Sequence, residues 1–314
     1  MHTPIHRRTV LAWLSGSAGA SVAAVAAMPQ SSQAQPAHSA PVTRVIPPSG
    51  ELIPAVGLGS WITFNVGSDR ARREQCIAVM KAFFDAGGRV IDSSPMYGSS
   101  QAVIGEALAR LQRAHTVFAA EKVWTGSGTG GASQIETTRA HWGLPRLDLV
   151  QVHNLLAWRE HLATLRALKA AGQLRYLGVT TSHGRRHGEL ESILKTEALD
   201  FVQLSYNPVD RDVEQRLLPL AHSRGVAVIV NRPFQEGALL RALQRQPLPA
   251  VATELACDSW AALVLKFVLA HPAVSCVIPA TTQVAHVRQN LAAAQGPLPN
   301  AAQRERIAAA MRAV

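Results

Sequence analysis

At 314 residues the chain suits one large domain or two ordinary ones, and its 47% hydrophobic and 17% charged residues fit an α/β protein with a sizeable core. Three scattered cysteines, Cys76, Cys257 and Cys276, form no CxxC pair and argue against a disulfide framework or a zinc site. The formal charge of +10 rests on dispersed arginines with only five lysines, which gives no support to a nucleic-acid partner.

The N-terminal segment reads as a targeting sequence. Arg7-Arg8 precedes an apolar run of Ala, Gly, Ser and Val to about Met28, and Ser32-Gln33-Ala34 offers small residues for cleavage. Paired arginines ahead of a mild apolar core are the plan of a twin-arginine export signal. Residues 1–34 are therefore expected to be an export signal peptide read by the twin-arginine machinery. The run is barely long enough to span a bilayer and is diluted by Ser and Gly, so cleavage is expected and a stable membrane anchor is not. The expected destination is periplasmic or otherwise exported. Residues 35–48 form a polar, Pro-rich linker, and 49–314 are expected to hold the folded domain.

From Thr43 the pattern becomes regular. Val45-Ile46 and Ile53–Val56 flank Pro47-Pro48-Ser49-Gly50 and predict a hairpin. Val56–Gly59 is a first strand. Strands then fall at 90–92, 116–120, 147–152, 174–179, 201–204, 226–230 and 274–278. Helical patterns fall at 72–86, 102–111, 134–142, 159–170, 189–194, 213–222, 260–270 and 284–293. The strands are continuous apolar runs, as parallel strands buried on both faces must be. Gly57-Leu58-Gly59 is followed by Ser60-Trp61, with no third glycine opening a helix, so a doubly wound dinucleotide fold is disfavoured. Eight βα units in about 250 residues fit an α/β fold of (β/α)8 TIM-barrel type, preceded by the hairpin.

In such a barrel, chemistry collects at the C-terminal ends of the strands. There the chain offers Asp92 and Tyr97 after the second strand, Glu121-Lys122 at the third and His153 at the fourth. Each has a bland reading alone. Asp92 could cap a turn or pair with Lys122 for structure only, and His153 could be a satisfied core histidine. Their coincidence at successive strand ends favours a site. A buried ammonium requires a partner, and Asp92 is the obvious one. An ammonium beside a phenol favours the phenolate and so lowers its pKa. An imidazole next to the phenol can orient a carbonyl oxygen. The group suits proton delivery in carbonyl reduction, with a nicotinamide carrying the hydride.

From Ile53 to Leu291 the chain resembles the aldo-keto reductase family. The resemblance is carried by Gly57-Leu-Gly-Ser-Trp61, Val90-Ile-Asp-Ser-Ser-Pro-Met-Tyr-Gly98, Glu121-Lys-Val-Trp124, Leu149-Val-Gln-Val-His153, Phe201-Val-Gln-Leu-Ser-Tyr-Asn-Pro208 and Val277-Ile-Pro279. It implies that Asp92, Tyr97, Lys122 and His153 are the catalytic tetrad. It also implies that NADPH, with NADH the other option, lies across the barrel mouth. Thr180 and Thr181 stand where the family often has Ser-Asn for the nicotinamide amide, and Gln203 matches a glutamine that contacts the same group. Asn231 falls at the aromatic stacking position, and Arg232 is placed to reach the pyrophosphate. After the last strand, the Thr281 region lacks the basic residue that often grips the 2′-phosphate. His286 takes the usual arginine position, and Gln289-Asn290 matches an adenine-contacting pair. Trp61, Trp124 and Asn154 match positions lining the pocket for a small-molecule carbonyl substrate, or are structural groups at loop bases. The implied activity is reduction of aldehydes or ketones to alcohols. The alternative is an exported nicotinamide-binding redox sensor or accessory subunit with little turnover.

Overall fold

The computed structural model describes residues 42–312; the expected export signal lies outside them. A hairpin of β1 (Thr43–Val45) and β2 (Leu52–Pro54) comes first. Its first strand falls inside the 35–48 stretch read as linker, so the ordered domain begins before residue 49. Prolines 47 and 48 belong to the hairpin turn, not to a spacer.

The barrel strands are β3 (Leu58–Gly59), β4 (Val90–Asp92), β5 (Phe118–Val123), β6 (Leu147–Val152), β7 (Leu174–Thr180), β8 (Phe201–Ser205), β9 (Ala227–Asn231) and β10 (Val274–Val277). They are parallel and lie in sequence order. The intervening helices are α1 (Arg70–Asp85), α2 (Ser100–Leu111), α3 (Gly131–Trp142), α4 (Trp158–Ala170), α5 (His187–Thr196) and α6 (Leu217–Ser223). After β9 come α7 (Ala238–Leu243), α8 (Ala250–Glu254) and α9 (Trp260–Leu269), and after β10 come α10 (Val284–Ala292) and α11 (Ala301–Arg312). The (β/α)8 barrel and its preceding hairpin are thus present. Helices α7, α8 and α11 were not legible in the sequence. The first two are short, and α11 buries only Ile307, Ala308 and Met311.

Parallel bridges at Val56–Val277 and Gly59–Ala280 close the first strand onto the last. The closing hydrogen bonds include Gly57 N to Val277 O at 2.8 Å and Gly59 N to Pro279 O at 3.1 Å. A Cβ on Gly57 would stand 2.9 Å from Val90 O and 3.0 Å from Ile278 Cγ2. These glycines therefore permit close strand approach and do not cradle phosphate.

Two apolar layers hold the fold. The larger lies between strands and helices. The smaller fills the barrel and contains Val90, Phe118, Ala120, Leu149, Tyr176, Phe201, Ala227, Ile229, Cys276 and Ile278. Phe118 and Tyr176 sit on β5 and β7, which are not neighbours. Their rings meet at 6.0 Å because both point into the barrel. Ile46 and Ile53 of the hairpin, each fully buried, plug this layer at one end. Tyr176 Oη donates to Glu51 Oε2 and accepts from Ser49 Oγ, both at 2.7 Å, and ties the hairpin loop to the barrel. Ile53→Ala should lower stability by about 2–5 kcal/mol through lost burial and the cavity left behind. A drop in denaturant midpoint at constant m-value is the expected result, and an unchanged midpoint would contradict the plug.

Candidate active site

Side chains alternate along a strand, so the residues that follow the apolar inner layer by two positions also point inward. From β4, Val90 leads to Asp92. From β5, Phe118 and Ala120 lead to Lys122. From β6, Leu149 leads to Gln151 and then to His153. From β8, Phe201 leads to Gln203 and Ser205, and from β9, Ile229 leads to Asn231. The barrel interior is thus apolar at one end and polar at the other. This local alternation, summed over the closed sheet, builds the site.

At its centre Lys122 is 1% and Asp92 2% exposed. Lys122 Nζ donates to Asp92 Oδ1 at 2.5 Å and to Ser93 O at 2.7 Å. Gln203 Nε2 donates to the other carboxylate oxygen at 2.9 Å. Burial alone would lower the Lys122 pKa, but Asp92, with Tyr97 and Glu121, outweighs it and the ammonium is held above its usual range. Lys122 Nζ lies 5.1 Å from the centroid of the half-buried Tyr97 ring. Tyr97 and His153 meet edge to face, with centroids 5.8 Å apart and planes at 85°. The four residues read from the strand ends therefore converge.

Two details modify the expected electrostatics. Burial pushes the Tyr97 phenol above its ordinary range, and Lys122 pulls it back only in part. The phenol is therefore an acid kept protonated, not one poised as phenolate. His153 is lowered to about 3, by burial first and by the Lys122 charge second. Its imidazole is neutral at working pH. His153 Nδ1 lies 2.9 Å from Ser94 Oγ.

The expected cofactor residues divide. Gln203 is committed to the protein at both ends, because its Oε1 accepts from Asn231 Nδ2 at 3.3 Å. Asn231 is no open stacking surface. Its Nδ2 also donates to Thr181 O at 3.0 Å and its Oδ1 accepts from Ser205 Oγ at 2.7 Å. Arg232 pairs with Glu236 four residues on. Thr180 Oγ1 accepts from Asn154 N at 3.1 Å. Thr181 Oγ1, in contrast, is buried without a partner, as is Gln151 Oε1. Orphaned polar atoms beside this cluster fit a polar ligand group such as the amide of a nicotinamide. Thr281 Oγ1 accepts from Gln283 N at 3.0 Å and lies 3.3 Å from His286 Nδ1. Asn290 is buried on α10.

Among the expected pocket groups, Trp61 is partly exposed and Trp124 is 41% exposed. Gln134 clamps the Trp124 backbone, accepting from its N at 2.6 Å and donating to its O at 2.9 Å. Asn154 has φ +53°, a conformation that asparagine tolerates better than most residues. Its Oδ1 accepts from Ser182 Oγ at 3.2 Å. Sequence reasoning missed Ser94, Gln151 and Ser205. Gln151 carried a signal, a polar residue inside an apolar strand two positions before His153. Ser94 lay inside the quoted motif, but only the fold shows its partner. Glu121, adjacent to Lys122, points outward instead. It is fully buried against α2 and α3, accepting from Gln101 Nε2 at 2.9 Å and Trp142 Nε1 at 2.7 Å. Burial pushes it up to about 7 despite Lys122 and these donors.

The His153 shift has a stability consequence with a definite sign. From pH 6.5 down towards 3 the unfolded chain binds a proton that the folded site refuses. Stability therefore falls as pH falls through that window. Glu121 acts in the opposite sense between its ordinary value and about 7, so the contrast with a variant isolates His153. Wild type should lose more stability than His153→Asn on acidification over this range. Equal pH slopes in denaturant titrations would contradict a buried neutral imidazole.

The geometry has clear relatives. A model of the aldo/keto reductase family matches residues 55–310. The chain is 30% identical over 264 residues to methylglyoxal reductase YeaE of Escherichia coli strain K12, covering 81% of this chain and 90% of that protein. It is 26% identical to an NADH-specific methylglyoxal reductase of the same organism, over 63% of this chain and 68% of that one. An aldo-keto reductase from Klebsiella pneumoniae, solved in complex with NADPH, superposes with a TM-score of 0.70 at 26% identity, covering 85% of this chain and 95% of that one. With the match running across the whole barrel and through all four converging side chains, the chain belongs to the aldo/keto reductase family.

Proposed function

We infer that the protein is an NAD(P)H-dependent oxidoreductase that reduces aldehydes or ketones to alcohols, with Tyr97 as the general acid. The observation that carries this reading is the buried Lys122–Asp92 pair set against Tyr97, with His153 on the other side of the ring. A bound NADPH or NADH would supply the hydride, and Thr181, Thr281, His286 and Asn290 would hold it.

The chain's own residues handle the proton. Tyr97 Oη donates to the carbonyl oxygen as negative charge builds there. Lys122 is charged and immobile, and it stabilises the phenolate left behind. Asp92 keeps Lys122 in place, and Gln203 keeps Asp92 in place. His153, neutral at working pH, offers a hydrogen bond to the same oxygen and fixes its direction. The surrounding burial excludes water and strengthens each of these interactions. Two relatives are named as methylglyoxal reductases, so that dicarbonyl is the first substrate to assay. A complete tetrad argues for turnover over a sensor or accessory role.

Tyr97→Phe removes the acid and leaves the packing. Its kcat should fall by roughly 10²–10⁴-fold, the range of a lost general acid. Nucleotide affinity, read by fluorescence titration, should hold. Reduction at a near wild-type rate would overturn the assignment.

We further propose that the protein leaves the cytoplasm by the twin-arginine route, supported by Arg7-Arg8 and the mild apolar run after it. That route carries folded proteins, which suits an enzyme loaded with its nucleotide before export. Replacing both arginines by lysine should leave the precursor in the cytoplasm in cell fractionation. Unchanged export would remove this proposal without touching the catalytic one.

A further inference from the structure

We propose that Ser94 is a positioning residue that sets the tautomer of His153, placing the ring's single proton on Nε2 where it is donated to the substrate carbonyl. The inference rests on the carbonyl-reductase reading of the site and goes beyond it by identifying what gives the imidazole its polarity.

Ser94 is fully buried, in the turn between Asp92 and Tyr97. Its Oγ has two hydrogen-bond neighbours among the described residues. One is Met96 N at 3.2 Å, a backbone amide that can only donate. The other is His153 Nδ1 at 2.9 Å. A serine hydroxyl has one proton to give and accepts with its lone pairs. Met96 takes up a lone pair, so Nδ1 is the one acceptor within reach of the Ser94 proton. If Nδ1 instead carried the ring proton and donated to Oγ, the hydroxyl proton would be stranded in a fully buried site. That arrangement is disfavoured on the order of tenfold or more.

The ring cannot escape the choice by taking a second proton, because burial and the Lys122 charge keep it neutral down to about pH 3. A neutral imidazole has one N–H donor and one lone-pair acceptor. With Nδ1 accepting from Ser94, Nε2 must be the N–H. Nε2 makes no hydrogen bond within the described residues and is left for the substrate. In this tautomer His153 attracts a carbonyl oxygen alongside the Tyr97 hydroxyl. In the other, the Nε2 lone pair would repel it. A single hydroxyl thus decides whether the second group at the oxygen assists or opposes proton delivery. No bond is made or broken in this step; Ser94 acts through His153 alone.

The test reads the tautomer directly in the full chain labelled with 15N-histidine, using long-range proton–nitrogen correlation at neutral pH. His153 signals are assigned by their loss in His153→Asn. The expected spectrum has a protonated Nε2 and a bare Nδ1. A protonated Nδ1 in the wild type overturns the proposal. Ser94→Ala should give a mixed tautomer and a fall in kcat/KM for an aldehyde of about tenfold, with the nucleotide dissociation constant unchanged. Ser94→Thr, which keeps the hydroxyl, should retain the wild-type spectrum. An Ala variant with the Nε2 proton intact and full activity also overturns it. If Ser94→Ala does not fold, the wild-type spectrum decides alone. Because the readout needs no turnover, it is separable from the general-acid reading: Tyr97→Phe, which slows reduction, should leave the tautomer unchanged.

Discussion

The buried pair of Lys122 and Asp92 is the interaction on which the rest of the site depends. A lone ammonium in this position would be too costly to keep charged, and a lone carboxylate likewise. Together, with Ser93 O accepting from the ammonium and Gln203 Nε2 donating to the carboxylate, they form a hydrogen-bonded cluster at the polar end of the barrel. Its charge then acts on both neighbours. It offsets part of the burial that raises the Tyr97 phenol and adds to the burial that keeps His153 neutral. One fixed cation thus biases the two groups that face a carbonyl oxygen in useful directions.

The pair also explains how the polar end of the barrel is layered. Gln203 connects Asp92 to Asn231, which reaches Thr181 and Ser205. The resemblance to the family placed Gln203 and Asn231 against the nicotinamide. Here they form a bracket from the catalytic pair to the rim of β7. Thr181, at the end of that bracket, keeps its Oγ1 buried without a hydrogen-bond partner. The polar groups are therefore not interchangeable contacts. Some hold the buried pair still, and at least one is left without a partner in the protein.

Much was legible before any coordinates. A strand that is apolar and then abruptly polar announces a barrel end, and Asp92, Lys122 and His153 each follow that pattern. Alternation with period two assigns them to the interior once the closed barrel shows which residues form its inner layer. Other elements resisted. The strand carrying Lys122 runs from Phe118 to Val123, later than the 116–120 window, because hydrophobicity alone does not recognise a buried Glu-Lys as strand. Trp142 and Gln101 supply the partners that let Glu121 be buried, and both are distant in sequence. The hairpin itself was read from the residues flanking Pro47-Pro48-Ser49-Gly50, but not that it plugs the barrel, which depends on the distant inner layer it packs against.

The chain's local chemistry by itself determined the alternation of strands and helices, the parallel sheet, the strand ends at which the tetrad falls and the likeness to a known family. Each follows from period, turn residues and a few side chains, all short-range properties. The tertiary structure alone decided which hydrogen-bond partner each inward group takes. Ser94 meets His153 across 59 positions, and Gln203 meets Asp92 across 111. Barrel closure brings such residues together, and nothing local to either one encodes its partner. For that reason the identity of the acid was readable from the sequence, while the polarity of the imidazole beside it was not.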